Sequence, residues 1–279
     1  MNVLTVNQAA AWAQTLGLTR LEAQVLLLNA LGRSSYDRAW LLAHGDEPLN
    51  ATVHSAFSTN TQRRLNAEPV AYITGQKEFF GLLLQIDNRV LDPRADTEIL
   101  VEWALSCLAG TPNPELVDLG TGSGAIALAL KHSRPDATVY AVDASVDALA
   151  VASENAKRLA LPISFHHGSW LEQLKGHSFD AIVSNPPYVA NDDPHLAALK
   201  HEPLSALTSG TDGLDDIRII VSKATQHLRS NGWLLLEHGY NQAHAVQTLL
   251  GNQGFINVQS RPDLAGILRC TGGQWSTVK

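Results

Sequence analysis

Apolar residues recur at helical spacing through the first 70 residues of the chain. Residues 6–16 are rich in alanine and amphipathic, residues 37–43 carry a shorter helical pattern, and residues 52–66 carry a longer one that ends before Pro69. Short helices joined by short loops are typical of a small bundle. The pattern predicts an N-terminal helical bundle over residues 1–70, and no catalytic constellation is visible in it.

The second helix of this bundle has the clearest start signal. Thr19 and Glu22 have the spacing of a capping box, in which each side chain satisfies a backbone N–H at the beginning of a helix. One buried face is expected from the apolar residues that follow at three- or four-residue spacing, Leu21, Val25, Leu28 and Leu31.

The pattern then changes from helical spacing to strand-like runs. Residues 78–86 predict a β-hairpin that turns near Gly81, and residues 90–98 form a loop punctuated by Pro93. A helix is expected from about residue 97 to residue 108, with Asp96 or Thr97 as its N-cap. We therefore expect a β-hairpin linker over residues 71–92 and a larger domain over residues 93–279.

In the larger domain, predicted strands and helices alternate, which indicates an α/β fold with a mostly parallel sheet and helices on both faces. The expected helices cover residues 125–132, 146–159 and 214–228. The expected strands cover residues 115–119, 138–142, 163–166, 179–183, 232–237, 255–259 and 267–270.

The composition and the charge of the chain argue against nucleic acid and membranes as partners. The 279 residues are 45% hydrophobic and 17% charged, which is ordinary for a folded protein with a sizeable core. A formal net charge of −7 argues against a surface built for nucleic-acid backbone, so no direct nucleic-acid partner is expected. The N-terminus lacks the basic region of a signal peptide, and no run of 18 apolar residues occurs. These features favour a cytoplasmic protein without a membrane partner.

Metal and disulfide chemistry has no support in the sequence. Cys107 and Cys270 are far apart and form no Cys-x-x-Cys pair. The eleven histidines show no metal-binding spacing, and the neighbours His166 and His167 would point to opposite faces of a strand. We therefore expect no metal site.

A glycine-rich turn joins the first expected strand of the sheet to the following helix. It consists of Gly120, Thr121, Gly122, Ser123 and Gly124. Glycines at this position allow a ligand to approach the backbone at the helix N-terminus. Asp143 follows at the end of the next strand, where a carboxylate can accept hydrogen bonds from ribose hydroxyls. The combination predicts a cofactor that contains a nucleoside.

The turn alone leaves the cofactor open. A dinucleotide site usually has Gly-x-Gly-x-x-Gly, and here the third glycine comes one residue early. S-adenosylmethionine needs the same turn and ribose acid, but presents a carboxylate and an ammonium group. Asp118 either helps to hold that ammonium group or caps the turn. Trp170 either lies against an adenine face or fills space beneath a loop.

A stiff segment follows the strand of residues 179–183 and predicts the acceptor site. Pro186 and Pro187 have no backbone N–H, and Pro186 forces Asn185 into an extended conformation. The Asn185 side-chain oxygen and the Pro186 carbonyl can then hold the NH2 group of a planar substrate, while Tyr188 packs over its plane. The alternative is an ordinary strand-ending turn, since Asn and Pro are common turn residues.

The position of this segment decides between the cofactors. In an open α/β sheet, ligands bind outside the carboxyl ends of the strands, near the point where strand order reverses. The glycine turn and Asn185 would both lie there, so that a methyl donor and an amide-type acceptor meet. We therefore take Asn185, Pro186 and Tyr188 as candidate catalytic residues, and Asn185 to Tyr188 as the candidate substrate-binding segment.

With these motifs the chain resembles the class I S-adenosylmethionine-dependent methyltransferases, and more closely the release factor N5-glutamine methyltransferases of the PrmC (HemK) family. The resemblance covers nearly the whole chain. It is carried by the helical N-terminal region, the hairpin segment 72–82, Asp96-Thr97-Glu98, Asp118 to Ala125, Asn185-Pro186-Pro187-Tyr188 and the segment 202–207.

The resemblance implies a Rossmann-like methyltransferase sheet and a defined reaction. The family methylates the glutamine of the Gly-Gly-Gln motif of peptide chain release factors, which would be the protein partners. It implies cofactor contacts at Gly120 to Gly124, Asp143, Trp170 and Asn185, and substrate glutamine contacts at Asn185 to Tyr188. Because the N-terminal bundle shows no chemistry of its own, we separately hypothesise that it docks the protein substrate.

The chain departs from the family at three positions. Asp92-Pro93-Arg94-Ala95 stands where the family usually has Ile-Pro-Arg-Pro, and Ser169 stands where an Asp often precedes the tryptophan.

Three other functions remain as alternatives to release factor methylation. They are a ribosomal-protein glutamine methyltransferase, a DNA adenine-N6 methyltransferase, and a regulatory protein that binds S-adenosylmethionine without turnover. The chain's own Gly272-Gly273-Gln274 is taken as coincidence.

Overall fold

The computed structural model describes residues 4–276. The chain forms two compact units, Met1–Gln76 and Lys77–Lys279. In the part of the chain described, no helix has both the length and the apolar character needed to cross a membrane.

The first unit is a helical bundle. Its helices are α1 (Val6–Thr15), α2 (Arg20–Ala30), α3 (Arg38–Ala43), α4 (Ala51–Leu65) and α5 (Val70–Thr74). The capping box of Thr19 and Glu22 is present, and Thr5 and Gln8 form a second one at the start of α1. Helix α5 is a single turn after Pro69, and Gly75 ends it in the left-handed conformation that glycine tolerates.

The predicted face of α2 is only partly the buried one: Leu28 is buried, Val25 is half-buried, and Leu31 is half-buried against the bundle core. The residues that α2 buries are Ala23, Leu26, Leu27 and Leu28, whereas Leu21 is 55% exposed. Apolar residues lie on more than one side of this helix, so its sequence permits several buried stripes. Packing against α1, α4 and α5 selects the stripe that is buried.

The second unit begins with a hairpin and continues into the alternating region. The hairpin pairs β1 (Gln76–Phe79) with β2 (Leu82–Gln85), and its turn has positive φ at Phe80 and Gly81. The helices of this unit are α6 (Glu98–Cys107), α7 (Ala125–Ser133), α8 (Val146–Leu159), α9 (Asp215–Ala224) and α10 (Ala243–Gln253). Its other strands are β3 (Glu115–Leu119), β4 (Thr138–Asp143), β5 (Ser164–His167), β6 (Phe179–Ser184), β7 (Leu228–Glu237), β8 (Ile256–Pro262) and β9 (Leu268–Gln274).

Two differences from the sequence prediction lie in the last third of the chain. Helix α9 ends at Ala224, because Leu228 already begins β7. Helix α10 was missed, although Val246 and Leu250 are both buried and stand four residues apart.

The seven strands form one mixed sheet in the order β5-β4-β3-β6-β7-β9-β8. The first five are parallel, and β9 runs antiparallel to both β7 and β8. Strand order reverses at β3, which has β4 on one side and β6 on the other. This is the predicted α/β architecture, and it places the carboxyl ends of β3, β4 and β6 side by side.

Candidate active site

The glycine turn between β3 and α7 has the backbone that its sequence predicts. Gly120, Gly122 and Gly124 have φ of 71°, 56° and 83°, a region that side chains with a Cβ rarely adopt. A Cβ at Gly124 would stand 3.2 Å from Ala152 of α8, so this glycine also lets α7 and α8 pack closely. A Cβ at Gly122 would meet nothing within 4 Å, which leaves open space beside the turn.

Asp143 connects this turn to the end of the neighbouring strand. Its carboxylate accepts the N–H of Gly122 and that of Ser145, each at 2.8 Å and each on a different oxygen. Every carboxylate oxygen has room for more than one hydrogen bond, so both can still accept from a ligand. Burial raises the pKa of Asp143, and the backbone N–H groups oppose that shift.

Asp118 lies beneath the turn and is fully buried. Its Oδ2 accepts from the Thr121 hydroxyl at 2.6 Å and from the N–H of Ala127 at 3.2 Å, so the residue does cap the turn. Its Oδ1 has no hydrogen-bond partner among residues 4–276. Burial raises the pKa of this carboxyl to about 7, and the negative charge of Asp143 adds to the shift. One acceptor oxygen is therefore left for a donor that a ligand would bring.

Trp170 stands beside the glycine turn. Atom Cζ3 of its ring would lie 3.3 Å from a Cβ placed on Gly120. Its φ is 50°, which is uncommon for a bulky residue and occurs where the surrounding structure demands it. The ring is half-buried against the core of the sheet, and the preceding Ser169 is exposed.

Asn185 follows β6 at the same edge of the sheet as the glycine turn. The last residues of β3 and β6, Leu119 and Ser184, pair directly, and the Ser184 hydroxyl donates to the Leu119 carbonyl at 2.6 Å. Gly120 and Asn185 are the next residues of these two parallel strands. The structure thus brings the two predicted halves of the site together.

The side chain of Asn185 has a partner that the sequence did not suggest. Its Nδ2 donates to the hydroxyl of Thr97 at 3.3 Å. Thr97 is 3% exposed and lies in the turn Ala95–Thr97 before α6. With its nitrogen directed to Thr97, the carboxamide is left with its oxygen free to accept.

Tyr188 is held at both its hydroxyl and its backbone. The phenol donates across 3.5 Å to Oε1 of Glu237, the last residue of β7. Burial raises the pKa of Tyr188 above its usual range, and the nearby Glu237 carboxyl raises it further. The Tyr188 carbonyl accepts from Nε2 of Gln242 at 3.0 Å. Gly213 must remain a glycine here, because a Cβ would stand 2.1 Å from that carbonyl oxygen.

Sequence reasoning gave no role in the site to four buried residues that support it: Thr97, Asn155, Glu237 and Gln242. Gln242 also donates to the Asp212 carbonyl, so one side chain holds two loops together. Asn155 of α8 donates to the Ser123 carbonyl and exchanges two hydrogen bonds with the backbone of Gln85. Asn155 lies inside the amphipathic helix α8 and Gln242 directly before α10, where amides resemble surface residues and only their burial distinguishes them.

At residues 92–95, where the chain departs from the usual family sequence, nearby cations balance the charge of the acid. Asp92 lies 3.2 Å from the ammonium of Lys77 and 3.7 Å from the Arg94 guanidinium. Arg94 also pairs with the buried Glu202 at 2.5 Å. An acid at position 92 is therefore balanced by cations within the same unit, and Ala95 begins the short turn that leads to α6.

The chain's own Gly-Gly-Gln segment is part of the sheet. Gly272 pairs with Leu235 in β7 and with Gln259 in β8. A Cβ at Gly272 would stand 2.5 Å from the Leu235 side chain. The amide nitrogen of Gln274 donates to the Asn231 carbonyl at 3.0 Å. Strand pairing, close packing and hydrogen bonding within the sheet thus account for this Gly-Gly-Gln segment.

The two buried carboxyls predict how stability depends on pH. Burial raises the pKa of Glu237 to about 7, against the hydroxyls of Thr97 and Tyr188 and the charge of Arg269, while Asp96 adds to the rise. Both Asp118 and Glu237 would titrate near about 4 in an unfolded chain. Between these values the folded protein holds more protons, so the free energy of unfolding should fall as pH rises from about 4 to about 7.

Urea denaturation at a series of pH values measures this slope. Glu237→Gln removes one of the two groups while keeping its size, and should make the slope shallower. Glu172→Gln is the matched control, because Glu172 is exposed and its carboxyl pKa is lowered by Lys223. Equal slopes for the native protein and Glu237→Gln would contradict the assignment.

The chain is similar in sequence to known proteins and to two protein-family models. Residues 96–206 match the model of the methyltransferase small domain, and residues 8–75 match that of the PrmC N-terminal domain. A relative from Xylella fastidiosa (strain Temecula1), named release factor glutamine methyltransferase, is 47% identical over 265 residues, covering 94% of this chain and 95% of its own. Relatives of the same name from Coxiella burnetii and Burkholderia pseudomallei are 46% and 47% identical, and cover 90% and 92% of both chains.

Solved structures with the same fold are more distant in sequence. A methyltransferase from Pyrococcus furiosus superposes with a TM-score of 0.57 at 17% identity, covering 78% of this chain and 99% of that one. The 16S rRNA N2 G1207 methyltransferase of Thermus thermophilus, solved with AdoMet and guanosine, superposes with a TM-score of 0.53 at 20% identity. That match covers 71% of this chain and 49% of the other.

Proposed function

Since this chain belongs to the release factor glutamine methyltransferase family, we propose that it methylates the side-chain amide nitrogen (N5) of the glutamine in the Gly-Gly-Gln motif of peptide chain release factors. The observation that carries this proposal is the pairing of Leu119 with Ser184, which sets the glycine turn and Asn185 side by side. In the same proposal the protein works in the cytoplasm and modifies a protein rather than a nucleic acid.

S-adenosylmethionine is the methyl donor, and its sulfonium carries the methyl group to be transferred. The residues present fit this molecule. The turn from Gly120 to Gly124 leaves open space at Gly122, Asp143 keeps acceptor capacity for two ribose hydroxyls, and buried Oδ1 of Asp118 lacks a donor among the described residues. Trp170 stands where a flat group beside the turn would meet its ring.

The acceptor is a poor nucleophile, because the lone pair of an amide nitrogen is delocalised into its carbonyl. Catalysis then depends on position more than on a strong base. Asn185 Oδ1 and the Pro186 carbonyl would accept the two N–H groups and aim the nitrogen at the methyl group, while Tyr188 flanks the amide plane. The nitrogen–methyl bond would form as the sulfur–methyl bond breaks, and the nitrogen would then release one of its two protons to solvent. Correct orientation of two reactants is worth about 7–11 kcal/mol relative to free encounter.

Acceptors added separately to the purified protein and labelled S-adenosylmethionine test this proposal. We expect label on the release factor, and none on a release factor whose motif glutamine is replaced by alanine. Label on ribosomal protein or on DNA alone would overturn the choice of substrate. Label on no acceptor would favour a regulatory protein that binds the cofactor without turnover.

The N-terminal bundle is proposed to dock the protein substrate, because it contains no catalytic group and residues 8–75 match the PrmC N-terminal domain. Removal of residues 1–70 should raise KM for whole release factor by at least about 10-fold, the loss of about 1.4 kcal/mol of binding. The KM for a short peptide that contains the motif should change little. An unchanged KM for whole release factor would exclude the docking role.

A further inference from the structure

The segment Asp96-Thr97-Glu98 is one of the motifs of the family resemblance, yet the proposed reaction gives it no task. Each of its side chains is directed to a different element of the second unit. Asp96 lies 3.7 Å from the Arg269 guanidinium of β9, and Glu98 accepts the N–H of Phe80 at 2.9 Å. Thr97, between them, is the residue that contacts Asn185.

The contact matters because a carboxamide has two ends of similar shape and opposite hydrogen-bonding character. An asparagine that holds the NH2 group of a substrate must present its oxygen. Rotation by half a turn would present an NH2 group to another NH2 group, and the site would repel its substrate. Some neighbouring group has to decide which end of Asn185 faces outward.

A threonine hydroxyl alone does not decide this, since it can donate or accept. The contact in the structure gives the direction, because Asn185 Nδ2 donates and the Thr97 oxygen accepts, across 3.3 Å. Glu237 is 2% exposed, and the Thr97 hydroxyl is close enough to lower its pKa. No hydrogen bond of normal length joins the two side chains in the described structure, and Oε2 of Glu237 has no partner there. Burial raises the pKa of Glu237 to about 7, so above about pH 7 the carboxyl is ionised and accepts only, which draws the Thr97 proton away from Asn185.

We propose that Thr97 is the positioning residue that keeps the oxygen of Asn185 turned toward the acceptor amide. The inference rests on the proposed function, because it gives Thr97 a role only if Asn185 holds the substrate nitrogen. At the other end of the segment Asn185 to Tyr188, the Tyr188 hydroxyl donates to Glu237 at 3.5 Å.

The first test compares Thr97→Val, which keeps the shape and loses the hydroxyl, with Thr97→Ser, which keeps the hydroxyl. We expect Thr97→Val to lower kcat by about 10- to 100-fold, the range for lost alignment of one polar contact in a site. Thr97→Ser should stay within about 3-fold of the native kcat, and the Kd for S-adenosylmethionine should change little in both. Thr271→Val is the matched control, because it removes another buried hydroxyl of the same unit, on β9.

The second test places Thr97→Val in a protein that already carries Asn185→Ala. If Thr97 acts through Asn185, the double variant should be no slower in single turnover than Asn185→Ala alone.

Independent losses in the double variant would overturn the proposal, as would a Thr97→Ser variant as slow as Thr97→Val. Equal losses in Thr97→Val and Thr271→Val would show a structural role only, and would overturn it too. A native rate in Asn185→Ala would instead refute the acceptor geometry of the proposed function, so the two failures remain distinguishable.

Discussion

Asn185→Ala should lower methyl transfer by roughly 10²- to 10³-fold, the effect of removing one oriented group that stabilises a transition state. Its oxygen is the acceptor that the structure leaves free, since Nδ2 is already committed to Thr97. As the nitrogen attacks, positive charge develops on it, and the hydrogen bonds that it donates become stronger. The loss should therefore appear in kcat under single-turnover conditions more than in the KM for release factor.

The matched control for this variant is Asn191→Ala, an exposed asparagine six residues along the same chain segment. It should retain the native rate. Thermal denaturation of Asn185→Ala should stay close to that of the native protein, because the residue is only half-buried. A single-turnover rate near native for Asn185→Ala would remove the central residue of the proposed mechanism.

Asp143→Ala should weaken binding of S-adenosylmethionine by at least about 100-fold. Hydrogen bonds to a charged group contribute about 1.5–3 kcal/mol each, and two ribose hydroxyls would lose their acceptor. The variant also frees the Gly122 N–H that Asp143 holds at 2.8 Å, so the turn loses a constraint. Calorimetric titration with the cofactor measures the change in Kd directly.

Asp147→Ala is the control for this second variant. Asp147 is an exposed acid in the first turn of α8, four residues from Asp143. Removing it changes the net charge equally, but it takes no part in the turn. Equal loss of cofactor affinity in both variants would mean that the effect is general electrostatics rather than recognition of the ribose.

The family and the general fold were predictable from the sequence because their signals are local. Strand β3 and helix α8 were predicted with the bounds that the structure gives. The glycines of the turn, the acid after β4 and the double proline after β6 are each a few residues long, and each works through its own backbone or side chain. Because the carboxyl ends of parallel strands lie side by side, these three features meet at one edge of the sheet.

Hydrogen-bond partners separated by tens of residues could not be predicted from such local signals. Thr97 and Asn185 are 88 residues apart in the chain, and no periodicity relates them. The same holds for Asn155 with Gln85 and for Gln242 with Tyr188. Burial converts such ordinary polar residues into ones that must find a partner, and burial is a property of the folded chain.

By itself the sequence determined which backbone segments are stiff, which tolerate positive φ, and in what order strands and helices follow one another. The tertiary structure alone decided which stripe of α2 is buried and which end of the Asn185 carboxamide is free. Local conformation depends on neighbouring residues along the chain. The choice among permitted surfaces and side-chain orientations depends on atoms that only folding brings within reach.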